Sequence, residues 1–177
     1  MRQEKGFTLI ELMITVAILS VVLGIAVPSM SSFMDKRRVI DAAEAVHSML
    51  VYARSEAIAR STNVAARIDA NAMGVSTNTA CNPSHILTDA SPCVLSVDGV
   101  NVLKRVVTSD YPGVTFATTT NQITFDPTRG TVPVGQNGTI RVSYEDYEIR
   151  VIIGVIGRVR LCSPSTAPVG GYKTCPV

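Results

Sequence analysis

Three patterns of apolar and polar positions follow one another along the chain. Residues 7–27 read FTLIELMITVAILSVVLGIAV, 21 residues with one charge, Glu11. A helix of that length is roughly 31 Å long, the thickness of a bilayer's hydrocarbon core. The apolar region of a cleaved secretory signal is shorter, about 7–15 residues, and ends at a small-x-small site. This run instead continues into Pro28, so it predicts a transmembrane helix over 7–28. Beyond it the period changes. Phe33, Ile40, Ala43, Val46, Leu50, Ala53 and Ala57 recur at spacings of three, four and seven, the apolar stripe of an amphipathic helix. Glu56 and Arg60 stand four apart in the favourable order. No Gly or Pro interrupts residues 29–61, so the helix is expected to reach about Arg60.

From Asn63 the pattern becomes period two. Strands are expected over 63–68, 94–97, 100–108, 114–119, 123–125, 139–144, 148–153 and 155–162. Asp98-Gly99 and Pro112-Gly113 serve as turn signals. No helical pattern separates these runs, so the sheet is predicted to be antiparallel. The expected architecture is α+β: one long N-terminal helix packed on a β-sheet.

Composition changes this picture in two places. The 177 residues are 46% hydrophobic and 17% charged, with a mean hydropathy of +0.28 and a net charge of +2. That excludes a disordered chain and a generally basic nucleic-acid coat. The run 7–27 carries essentially all of the hydropathic excess. The net charge is likewise an average. Residues 28–149 hold ten basic and twelve acidic side chains, whereas residues 150–177 hold Arg150, Arg158, Arg160 and Lys173 with no acid.

The N-terminal residues Lys5-Gly6-Phe7-Thr8-Leu9-Ile10-Glu11 resemble the class III signal of type IV pilins and type II secretion pseudopilins. The resemblance implies that residues 1–6 are a leader. A prepilin peptidase would cut between Gly6 and Phe7 and methylate the new Phe7 amine. Arg2 and Lys5 would keep that end cytoplasmic. Glu11 would be the fifth mature residue, unpaired in the bilayer and relieved of its desolvation cost when it meets a neighbouring subunit's Phe7 amine. Pro28 falls where pilins carry a helix-bending proline. The implied location is the inner membrane with a periplasmic C-terminal domain, then the pilus. The implied partners are other major and minor pilins and an inner-membrane assembly platform.

Two further segments narrow the resemblance. Ala53-Arg54-Ser55-Glu56-Ala57-Ile58-Ala59-Arg60 is similar to the signature of the GspH/FimT family. So is Ile123-Thr124-Phe125-Asp126-Pro127-Thr128-Arg129-Gly130, read as a strand ending in a turn. The family implies a β-rich periplasmic domain over 63–177 behind the amphipathic helix 29–62.

Cys81, Cys93, Cys162 and Cys175 are twelve and thirteen residues apart in sequence order, with no CxxC. Neither zinc nor a thioredoxin motif is indicated. In an oxidising compartment three connectivities are open. Sequential pairing, Cys81–Cys93 and Cys162–Cys175, is expected, because each clips an irregular loop; a single bridge with two free thiols is the alternative.

No nucleophile elbow, P-loop or dinucleotide motif occurs, and neither His47 nor His85 stands in a catalytic pattern. No catalytic residue, metal or cofactor is expected, and the chain reads as a non-enzyme. Chemistry concentrates instead at Gly157-Arg158-Val159-Arg160. In a strand Arg158 and Arg160 share a face, roughly 7 Å apart, and two guanidinium forks suit consecutive phosphates. Tyr172 and Lys173 would add a stacking face and a charge, and Arg150 adds to the same basic end. The segment resembles the GRxR motif with which FimT-type minor pilins bind double-stranded DNA in natural transformation. The alternatives within the family are a FimU-like structural adaptor at the pilus tip and the type II secretion minor pseudopilin H.

Overall fold

The computed structural model describes residues 6–176, and of residues 25–29 the backbone only. The leader's Arg2 and Lys5 lie outside the described residues, as does the side chain of Pro28. Two compact units are present, residues 1–35 and 36–177. Helix α1 spans Leu9–Arg60. In the first unit its apolar side chains are exposed, Phe7 at 81% and Leu9 at 76% among them. Among the described residues no helix is long and apolar enough to cross a membrane. The apolar run 7–27 passes through the residues whose side chains are not described.

The second unit is built where α1 becomes amphipathic. Ala43, Val46, Leu50, Ala53 and Ala57 are fully buried, as their spacing predicts. They join one cluster with inward residues of the β-domain, including Ile123, Phe125, Ile140, Ile149, Val151 and Ile153. Burying each large side chain of this set contributes about 1.5–3 kcal/mol.

Ten strands follow: β1 (Val64–Ile68), β2 (Ala72–Ser76), β3 (Val94–Val97), β4 (Val100–Leu103), β5 (Arg105–Val107), β6 (Thr115–Thr118), β7 (Gln122–Phe125), β8 (Gly138–Tyr144), β9 (Tyr147–Ile153) and β10 (Val159–Cys162). They form two four-stranded sheets, ordered β5-β2-β1-β7 and β10-β9-β8-β6, and a separate β3-β4 hairpin. Every strand pairing is antiparallel. The α+β architecture is therefore as the sequence predicts, with two sheets rather than one. At the β3-β4 turn Asp98 and Gly99 have φ of 50° and 80°, the two left-handed positions that a two-residue hairpin loop demands.

Three local expectations fail. Strand β2 is absent from the sequence reading because all five of its residues are buried. With both faces covered, apolar and polar residues do not alternate. A Cβ on its Gly74 would come within 2.7 Å of Cys93 Cβ, so the disulfide loop lies directly on that strand. The expected strand 100–108 is two strands, β4 and β5, in different sheets. The expected strand 155–162 begins only at Val159. The apolar pair Val155-Ile156 instead forms a turn between Gly154 and Gly157, closed by the Gly157 N–H on the Gly154 carbonyl at 2.8 Å.

Candidate functional site

At the N-terminus Gly6 and Phe7 are exposed ahead of the helix. Thr8 and Glu11 close a reciprocal capping box. The Glu11 Oε2 accepts from the Thr8 backbone N–H at 3.0 Å and from its hydroxyl at 2.9 Å. Thr8 Oγ1 in turn accepts the Glu11 N–H at 3.3 Å. Glu11 is thus not without partners in the lone chain, as the sequence reading had it; Thr8 satisfies part of the carboxylate and the helix start together. The spacing Thr-x-x-Glu just before an apolar run is a signal for this cap, and it stands in the sequence at 8–11.

Both sequential disulfides form, Cys81–Cys93 and Cys162–Cys175. The second organises the C-terminal tail. Ser163 donates its N–H to the Lys173 carbonyl at 2.9 Å and accepts the Cys175 N–H at 3.0 Å. Its hydroxyl accepts the Val169 N–H at 2.8 Å and lies 3.2 Å from the carbonyls of Glu148 and Ala167. The tail therefore returns beside β9 and β10. Lys173, exposed, shares a cleft of about 300 Å³ with Arg160, Ile152, Cys162 and Thr174. Tyr172 does not offer a stacking face. Its ring packs on the core and its hydroxyl donates to Glu44 of α1 at 2.7 Å. Burial first, then that bond and the nearby carboxylate charge, push the Tyr172 phenol up to about 12.

Gly157 packs directly against another turn of the chain. Its φ is +73°, and a Cβ there would stand 1.8 Å from the Gly130 carbonyl oxygen. That oxygen accepts from Arg54 Nε at 3.1 Å, while Arg54 Nη2 reaches the Arg129 carbonyl at 3.5 Å. A Cβ on Gly130 would in turn meet Arg54 Nε at 2.7 Å. Three segments singled out in the sequence, the Arg54 helix turn, the Arg129-Gly130 turn and Gly157, thus close into one knot. The Asp126 carboxylate holds the middle turn by accepting the N–H groups of Thr128 at 2.9 Å and Arg129 at 3.1 Å. Sequence spacing gives no sign of this convergence, because the partners are 76 residues apart for Arg54 and Gly130.

The arginines beyond Gly157 are exposed. Arg158 lies one residue before β10 rather than inside it, and its carbonyl accepts the Gly154 N–H at 3.1 Å. Arg160 is within β10, opposite Ile152 of β9. Arg150, on β9, forms an ion pair with Glu148 two residues before it. Among the described residues no side-chain partner is present for Arg158, Arg160 or Lys173. Such unpaired cations, held on a disulfide-tied scaffold, can bind an anionic polymer.

Residues 42–157 match the family model for the type II transport protein GspH, and residues 1–27 match that for the prokaryotic N-terminal methylation motif. The first match stops at Gly157, so Arg158 and Arg160 lie beyond it. Two crystal forms of the type IV minor pilin FimU of Pseudomonas aeruginosa share the fold. One superposes with a TM-score of 0.50 at 18% identity, covering 72% of this chain and 98% of FimU. The other gives 0.51 at 17%, covering 77% and 99%. With a family-model match over residues 42–157, well over half of the sequence, and the helix-on-sheet fold that agrees with it, the chain belongs to the GspH family of pilin-like proteins.

Proposed function

We propose that this protein is a minor type IV pilin that assembles near the pilus tip and binds double-stranded DNA there for uptake. In this reading a prepilin peptidase removes residues 1–6 and methylates Phe7. The segment 7–28 anchors the subunit in the inner membrane, and residues 29–62 and 63–177 form the periplasmic helix and β-domain. The assembly platform then extracts it into a filament of major and minor pilins, with Glu11 meeting a neighbour's Phe7 amine. No catalysis is involved.

The observation that supports DNA binding is the set of exposed cations Arg158, Arg160 and Lys173, with no side-chain partner among the described residues, of which Arg160 and Lys173 share the cleft beside the Cys162–Cys175 tail. Contacts of this kind bind phosphate without reading sequence and weaken steeply with salt. The test uses the full chain in a nonionic detergent and labelled duplex DNA, read by fluorescence anisotropy at two salt concentrations. Wild type is expected to bind with micromolar or weaker affinity, and Arg158→Ala with Arg160→Ala to lose it. In cells the double variant should keep pili and lose transformation. Undiminished binding by the double variant rules out this site.

A structural tip adaptor without nucleic-acid contact is the second reading. It is favoured by Gly157, whose presence is accounted for by its packing against Gly130. It predicts that the same double variant transforms normally and that only loss of the whole chain removes pili. A type II secretion pseudopilin would instead be revealed by loss of exoprotein release.

A further inference from the structure

The outer face of the second sheet carries more positive charge than the C-terminal segment alone. Along β8 the residues Ile140 and Val142 are buried and Arg141 between them is exposed, so Arg141 points away from the core. The register puts Arg141 directly opposite Arg150. On its other side Arg141 faces Ala117 of β6, and Arg150 faces Cys162 of β10. Arg160 is opposite Ile152, two residues along β9 from Arg150 and on the same face. Like charges directly opposite one another are unfavourable in a sheet. Glu148, the one carboxylate in the outward positions of these strands, bonds Arg150 and not Arg141. Among the described residues the Arg141 side chain has no hydrogen-bond or ion-pair partner.

We infer that Arg141 is a phosphate contact, and that the nucleic acid lies obliquely across β8, β9 and β10 rather than on the Arg158-Arg160 turn alone. This rests on the proposed DNA binding and names the face that performs it. The side chains of Arg141 and Arg150 stand about 5 Å apart at Cβ, and Arg160 lies diagonally about 7–8 Å from Arg150. Lys173 continues the row beside Arg160 in the cleft described above. A row of cations at such intervals, four with one carboxylate among them, suits successive phosphates of one strand and carries no base readout. A polyanion also relieves the repulsion between Arg141 and Arg150, which in the isolated subunit Glu148 offsets on the Arg150 side alone.

The test measures duplex affinity of the full chain in nonionic detergent as a function of salt. Each lost phosphate contact lowers the slope of log K against log salt by about 0.9, or about eightfold in affinity at 0.1 M salt. Arg141→Ala is expected to show that loss with an unchanged or higher Tm, and Arg141→Lys to restore the slope. Glu148→Gln, which removes the carboxylate from the face, is expected to tighten binding, a gain that misfolding cannot produce. The inference is overturned if Arg141→Ala binds with wild-type affinity and slope, or if Glu148→Gln fails to tighten binding, while the Arg158/Arg160 double variant is weakened. If wild type itself does not bind duplex DNA, the proposed function fails and this inference with it.

Discussion

Replacing Gly157 by Ala separates the two tasks of the Gly157-Arg158-Val159-Arg160 segment. The added Cβ would be placed 1.8 Å from the Gly130 carbonyl oxygen and 3.1 Å from Arg54 Nε. The first distance is far inside van der Waals contact with a backbone atom, so the β9-β10 turn or the Arg129-Gly130 turn must move. Left-handed backbone at φ +73° costs a non-glycine residue about 1–2 kcal/mol. Displacing packed backbone adds about 1–3 kcal/mol, as overpacking does. The Arg54 hydrogen bond to Gly130 lies in the path of any relief, and weakening it adds about 1 kcal/mol more. The expected loss is therefore about 3–6 kcal/mol. At about 2–4 °C per kcal/mol for a domain of this size, Tm should fall by roughly 6–24 °C. Thermal and urea unfolding of Gly157→Ala and Arg158→Ala, followed by circular dichroism, make the comparison. Arg158→Ala is exposed and should stay within about 0.5 kcal/mol of wild type. A Gly157→Ala variant that is equally stable would refute the close-approach argument.

Three other outcomes follow from the core, the tail and the tyrosines. Leu50→Ala, at a fully buried helix position, should cost about 2–5 kcal/mol in urea unfolding. Cys162→Ser with Cys175→Ser opens a loop of 13 residues and should cost about 3 kcal/mol in the loop-entropy model, with new protease cleavage between Pro164 and Thr174. The Tyr172 phenol is raised to about 12. Its stabilising effect is therefore complete below pH 10, the unfolded value, and is lost as pH rises towards 12. Tyr172→Phe should remove the highest-titrating phenol in an ultraviolet pH titration and flatten the alkaline fall in stability between pH 10 and 12. Loss instead of a phenol that titrates near the ordinary value of about 10 would show that the bond to Glu44 does not hold in solution.

Much of the fold is legible along the chain because it rests on local periodicity. The 3.6-residue stripe of Ala43, Val46, Leu50, Ala53 and Ala57 names the buried face of α1. The clip of each irregular loop by its nearest cysteine pair names the disulfides. Period-two alternation locates β8 and β9 within a residue or so. Where burial is two-sided the alternation vanishes, and β2 goes unseen. Where two glycines can make a turn, an apolar β-branched pair such as Val155-Ile156 is a poor guide to a strand.

The site divides along the same line. Sequence by itself determined that positive charge gathers from Arg150 onward, that the N-terminal segment carries a methylation motif, and that helix and sheet share the chain in that order. Those properties are sums or periods over neighbouring residues. Only the tertiary structure decided that Gly157 is needed by the carbonyl of Gly130, that Tyr172 is tied to Glu44, and that Arg141 stands opposite Arg150. Each is a contact between residues remote in the chain or a consequence of strand register. A one-residue shift in register would send Arg141 to the other face of the sheet. Composition is blind to such pairings, because charge and hydropathy add along the chain whereas contact and repulsion depend on distance in space.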